Sequence, residues 1–153
     1  MGCSDKGVML RTGQAAPTFA LKDMSGRTVR VPEDVKGKVV AIRFWATWCK
    51  SCAAEMPELE HVYKNYKGKG LLILAINIGQ DKAEAEKFSK EHDISYPLLP
   101  DPGKEVTKRY GVTAIPMTFI LDGNGVIRKK ILGEISRQNF EKIVVQLMKG
   151  EKP

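Results

Sequence analysis

Two strand-like runs, Lys38 to Phe44 and Leu71 to Ile78, constrain this chain more than any other feature. Neither alternates apolar with polar residues, so each reads as a strand covered on both faces, and the first is expected to be central. Between them Met56, Leu59, Tyr63 and Tyr66 recur at helical spacing, with Gly68 as the stop. Asp81 and Glu84 open a second helix running to about His92, because an Asp side chain accepts from the free amides of a first turn. Tyr96 to Leu99 reads as a short extended segment, and Lys104 to Tyr110 as a helix closed by Gly111. Met117 to Leu121 and Val126 to Leu132 are joined by Asp122, Gly123, Asn124 and Gly125, a strong turn signal. Phe140, Ile143, Val144 and Leu147 give a last helix one apolar face, with Ser136 as its cap. Ahead of all this, Thr18 to Leu21 and Thr28 to Val31 flank Ser25 and Gly26 as a hairpin. Strands alternating with helices, and a hairpin at the end, predict an α/β fold with a mixed sheet.

The 153 residues suit one domain, expected over residues 13–150 after a flexible segment 1–12, with no linker or repeat. At 42% apolar the chain can bury a core, which excludes disorder, and three cysteines are too few for a disulfide scaffold. The longest apolar run, Leu71 to Ile76, is far short of a membrane helix, so the chain is expected to be soluble. Its net charge of +7 raises the question of nucleic acid. The basic clusters Lys64, Lys67, Lys69; Lys104, Lys108, Arg109; and Arg128, Lys129, Lys130 are separated and lack interleaved aromatics. They read as solvated faces, and no nucleic-acid partner is expected.

The chemistry concentrates at Trp48, Cys49, Lys50, Ser51 and Cys52, where a strand gives way to a helix. That junction places Cys49 at a helix N-terminus, where free amides and the helix dipole stabilise a thiolate. Cys49 is therefore the expected nucleophile, and Cys52, one turn on, is set to attack the mixed disulfide that Cys49 forms with a target. Lys50 adds positive charge nearby or points into water. A zinc site would need two further ligands from Cys3, His61 and His92, and His61 lies roughly 13 Å along the helix from Cys52. No metal is expected, and the Asp122 turn lacks the later acidic ligands of a calcium loop.

Phe44, Trp45, Ala46, Thr47, Trp48, Cys49, Lys50, Ser51, Cys52, then Glu55, Met56, Pro57 and Leu59, resemble the active-site stretch of the TlpA/ResA/CcmG thioredoxin-like thiol-disulfide oxidoreductases. Ile115, Pro116, Met117, Thr118 and Phe119 resemble that family's second signature, and the likeness runs from about Gly13 to the final helix. It implies a thioredoxin-like mixed sheet flanked by helices, an N-terminal β-hairpin and a helix-strand insertion at about 80–100. It further implies that Pro57 kinks the active-site helix and that Pro116 is a cis-proline facing the cysteines. Trp48, Ile115 and Pro116 are then the substrate-binding residues, with the Ile115 backbone free to pair with an extended segment. Glu55 matches an acidic residue beneath the active site that exchanges protons with the cysteines, chiefly Cys52. No cofactor is implied.

Arg43 departs from that pattern, standing where relatives usually carry Asn or Asp. A guanidinium in a buried strand needs a partner, and Glu55 is the expected one unless Arg43 reaches the sheet edge. Such a pair would weaken proton exchange through Glu55. The resemblance implies an extracytoplasmic reductase of protein disulfides, fed by a membrane or soluble thiol-disulfide donor, with apocytochrome c cysteines among relatives' substrates. Gly2, Cys3 and Ser4 resemble the start of a mature bacterial lipoprotein, which makes Cys3 a candidate lipid anchor. Two alternatives compete. A peroxiredoxin-like peroxidase is suggested by Ala16 to Gly37, but Ile42 and Ala46 stand where that family needs Pro and Thr ahead of its cysteine. A copper-binding thioredoxin-like chaperone would space its cysteines by three and add a histidine.

Overall fold

A computed structural model of the protein describes residues 9–153. A hairpin of β1 (Phe19–Lys22) and β2 (Thr28–Val31) precedes β3 (Val39–Trp45), α1 (Lys50–Tyr66), β4 (Leu71–Ile78), α2 (Lys82–His92) and β5 (Leu98–Asp101). Then come α3 (Glu105–Arg109), β6 (Met117–Leu121), β7 (Ile127–Leu132) and α4 (Arg137–Met148). Five strands form one sheet in the order β5-β4-β3-β6-β7, so β3 is central as its composition required. β3 pairs parallel with β4 and antiparallel with β6, β4 parallel with β5, and β6 antiparallel with β7.

Strand periodicity divides the core. Ala41 and Trp45 of β3 face α1 and α4, packing with Met56, Leu59, Phe140 and Val144. Val40, Ile42 and Phe44 point the other way, toward Phe19 and Val31 of the hairpin and Val106 of α3. Arg43 shares the parity of Ala41 and Trp45, and this aims its side chain at α1.

Side-chain caps appear where local sequence placed them. Asp81 accepts from Glu84 N–H at 3.1 Å, and Ser136 from Asn139 N–H at 3.1 Å. Other boundaries move. α1 ends in a 3₁₀ turn, Lys67–Lys69, and the left-handed residue is Gly70 at φ 107°, so the stop falls there and not at Gly68. β5 begins at Leu98, after Tyr96 and Pro97, because Pro97 has no N–H for the ladder and only its carbonyl accepts, from Ala75. Leu10 is buried with the hairpin-side core, ahead of the Gly13 boundary expected for the domain. Cys3 lies outside the described residues.

The β6–β7 turn is organised by Asp122, whose Oδ1 accepts from Asn124 and Val126 N–H and whose Oδ2 accepts from Arg128 Nε at 2.8 Å. Burial works to raise the Asp122 carboxyl, but the Arg128 and backbone hydrogen bonds outweigh it and hold the group below its ordinary 3.8. A carboxyl lowered in the folded state adds stability above its unfolded value and loses it as pH falls through the folded one. Asp122→Asn is therefore expected to cost about 1 kcal/mol at pH 7 and much less at pH 3, read by thermal melts at both. An equal deficit at both pH values would remove the ionic part of this account.

Candidate active site

β3 delivers the chain to α1 through Ala46, Thr47 and Trp48, and Cys49 is the residue that caps the helix. Cys49 is extended there (φ −89°, ψ 106°), which turns its sulfur back over the first turn, and the Cys52 N–H donates to Cys49 Sγ at 3.3 Å. The two cysteines form a disulfide with Cα atoms 5.3 Å apart. Cys52 is fully enclosed, whereas Cys49 keeps 9% of its surface. Of the two sulfurs, that of Cys49 is the more accessible, and it lies at the helix terminus beside the Cys52 amide.

The approach loop is latched by a network no sequence pattern announced. Thr47 N–H donates to Gln80 Oε1 at 2.9 Å, and Gln80 Nε2 returns bonds of 2.6 Å to Thr47 Oγ1 and to Glu84 Oε2. Asn77 Nδ2 also donates to Gln80 Oε1 at 2.9 Å. The end of β4 and the start of α2 thus hold the residue two before Cys49 in place.

Beneath the disulfide, Arg43 has no exposed surface and its Nη2 donates to Glu55 Oε1 at 2.7 Å. It does not reach the sheet edge. Its Nη1 lies 3.4 Å from Thr118 Oγ1, the directly opposed residue on β6. Glu55 Oε2 accepts from Ile135 N–H, ahead of α4, at 2.6 Å. The buried pair therefore ties β3, α1, β6 and the segment before α4 together.

The Ile115–Pro116 bond is cis, as is Val31–Pro32, which nothing in the sequence signalled. The register Phe44↔Met117 puts Pro116 beside the end of β3. Pro116 is buried and its carbonyl accepts from Gly133 N–H at 2.8 Å. Half-buried Ile115 packs against the cluster that contains both cysteines. Among the described residues its own N–H and C=O take no backbone partner. Trp48 is 70% exposed beside Cys49, and Leu132, opposite Met117, is 63% exposed. Leu132 is the apolar surface residue that sequence reading missed, because its alternation in β7 matches an ordinary edge strand. Lys50 is exposed at the start of α1, and Pro57, also exposed, stands inside the helix without an N–H for the Ala53 carbonyl.

Ile42 and Ala46 are fully enclosed aliphatic residues, so those positions offer no hydroxyl to a peroxide at Cys49. His92 stacks on Phe88 with ring centroids 4.0 Å apart. Among the described residues no three His, Cys, Asp or Glu side chains gather as a metal site.

The model of the AhpC/TSA family matches residues 12–130. The chain is 39% identical over 129 residues to the thiol-disulfide oxidoreductase ResA of Geobacillus thermodenitrificans, across 84% of this chain and 74% of that one. It is 34% identical over 146 residues to ResA of Bacillus cereus, across 95% and 84%. The crystal structure of a thiol:disulfide interchange protein, a thioredoxin family protein from Chlorobium tepidum, matches with a TM-score of 0.80 at 26% identity, over 92% of this chain and 99% of that one. A helix-capping cysteine pair on this sheet, with matches of that length and identity, places the chain in the AhpC/TSA family as a thiol-disulfide oxidoreductase of thioredoxin fold.

Proposed function

We propose that the chain reduces protein disulfides outside the cytoplasm, with Cys49 as nucleophile and Cys52 as resolving thiol. The observation that carries this reading is the asymmetry of the pair: Cys49 caps α1 and is reachable, while Cys52 is enclosed. A target segment lies along the free Ile115 backbone beside Pro116, with Trp48 and Leu132 as apolar walls and Lys50 at the rim. Apocytochrome c cysteine pairs are the substrate class that the family likeness favours. A membrane thiol-disulfide protein recharges the pair, and Cys3 carries a lipid. The ResA relatives support the oxidoreductase chemistry.

Equilibration against thiol buffers, read by alkylation, tests the direction of electron flow. A Cys49/Cys52 potential near or below about −230 mV is expected, because a reductase must hold its electrons loosely relative to its target. A value near about −120 mV would make the protein an oxidant instead.

A further inference from the structure

Glu55 follows Cys52 by three residues on α1, so the two side chains share a helix face with Cβ atoms about 5–6 Å apart. On that face an unengaged carboxylate is the candidate acceptor for the thiol proton of Cys52. Both oxygens of Glu55 are already engaged, Oε1 by Arg43 Nη2 and Oε2 by Ile135 N–H. A proton arriving on either oxygen would meet a donor, and on Oε1 it would also leave a buried guanidinium without its counter-charge.

We propose that Arg43 is a positioning residue for thiol exchange: its bond to Oε1, with the Ile135 N–H on Oε2, occupies both carboxyl oxygens of Glu55 and so keeps Glu55 out of the proton transfer at Cys52. This rests on the oxidoreductase chemistry of the pair. In reducing a target, the Cys49 thiolate bonds to one target sulfur and expels the other as a thiolate. Cys52 then loses its proton and bonds to Cys49 Sγ, and the first target sulfur leaves as a thiolate. Two electrons reach the target, and its two thiolates take up two protons, the one from Cys52 and the one Cys49 gave up on ionising. With Glu55 held, the Cys52 proton passes to the departing thiolate directly or through water.

Among the described residues, few other titratable groups lie near the pair. Tyr96 lies on the α1 side, its hydroxyl donating to Met56 O at 3.1 Å, and burial pushes its ionisation well above the ordinary range. Glu60 is engaged by Ser95 N–H and hydroxyl. Arg137 of α4 is 3.6 Å from Glu58. Thr118 and Ile135, the remaining contacts, do not titrate.

The test is the equilibrium constant with the reduced and oxidised glutathione pair from pH 5 to 8, for wild type, Arg43→Met, Arg43→Lys and Arg43→Met with Glu55→Gln. Exchange with glutathione is proton-neutral while every thiol is protonated, so bends in the profile report ionisations that differ between disulfide and dithiol forms. Wild type and the double variant are expected to superpose, bending only where cysteines ionise. Arg43→Met is expected to add a second bend of up to about tenfold as the released carboxylate titrates, and Arg43→Lys to remove it. A bend present in wild type and absent from the double variant would overturn the proposal, and that comparison stands even if Arg43→Met does not fold. A profile of unchanged shape in folded Arg43→Met would reduce Arg43 to a packing role. Absence of any reversible couple would instead defeat the oxidoreductase reading itself.

Discussion

Cys49→Ser protein is expected to lose turnover of protein disulfides by on the order of 10³-fold or more, whereas Cys52→Ser protein should accumulate covalently bound to its target. The asymmetry follows from burial. Of the Cys49–Cys52 pair, only Cys49 keeps surface, at the cap of α1 with the Cys52 amide 3.3 Å away. Removing it leaves a hydroxyl that does not ionise at neutral pH, and the enclosed Cys52 cannot substitute because no target sulfur can approach in line. Removing Cys52 leaves the first step intact and deletes the thiol one helical turn on that releases the target. Non-reducing gels and intact mass after incubation with an oxidised protein substrate give the readout. A mixed disulfide captured equally by Cys49→Ser would reverse the assignment.

Much of this site is local, which is why it could be read from the chain. A cysteine capping a helix, Asp81 and Ser136 as caps, and the Asp122 turn each depend on a few neighbouring residues and on backbone amides with nowhere else to go. The Arg43–Glu55 pair was legible for a different reason: a charge inside an apolar strand must find a partner, and few were within reach. The Gln80 latch was not legible, because Thr47 and Gln80 are joined across 33 residues by neutral groups that carry no comparable demand. Nor was the true start of β5. Pro100 within it is tolerated only because β5 is an edge strand, and strand order is a tertiary fact. Gly68 and Gly70 flank one residue, and only the wound backbone shows which of them takes positive φ.

Arg43→Met should destabilise the fold by about 3–5 kcal/mol at neutral pH, lowering the melting temperature by roughly 10 °C. The cost lies less in the lost attraction than in what remains: Glu55 is 9% exposed, and without Arg43 it is a carboxylate facing one amide and an apolar core. Adding Glu55→Gln removes that charge while its carbonyl still accepts from Ile135 N–H. The double variant should therefore regain about 2 kcal/mol over Arg43→Met, a non-additivity that separates a buried ion pair from two independent packing residues. Denaturant melts of wild type, both single variants and the double close the cycle. Strict additivity would mean that the two groups do not act as a pair. Arg43 Nε takes no partner among the described residues, so the guanidinium is incompletely satisfied even in the native fold. Its one strong bond goes to the carboxylate one turn beyond Cys52 on α1, so the stability that Arg43 adds is the stability of that pair.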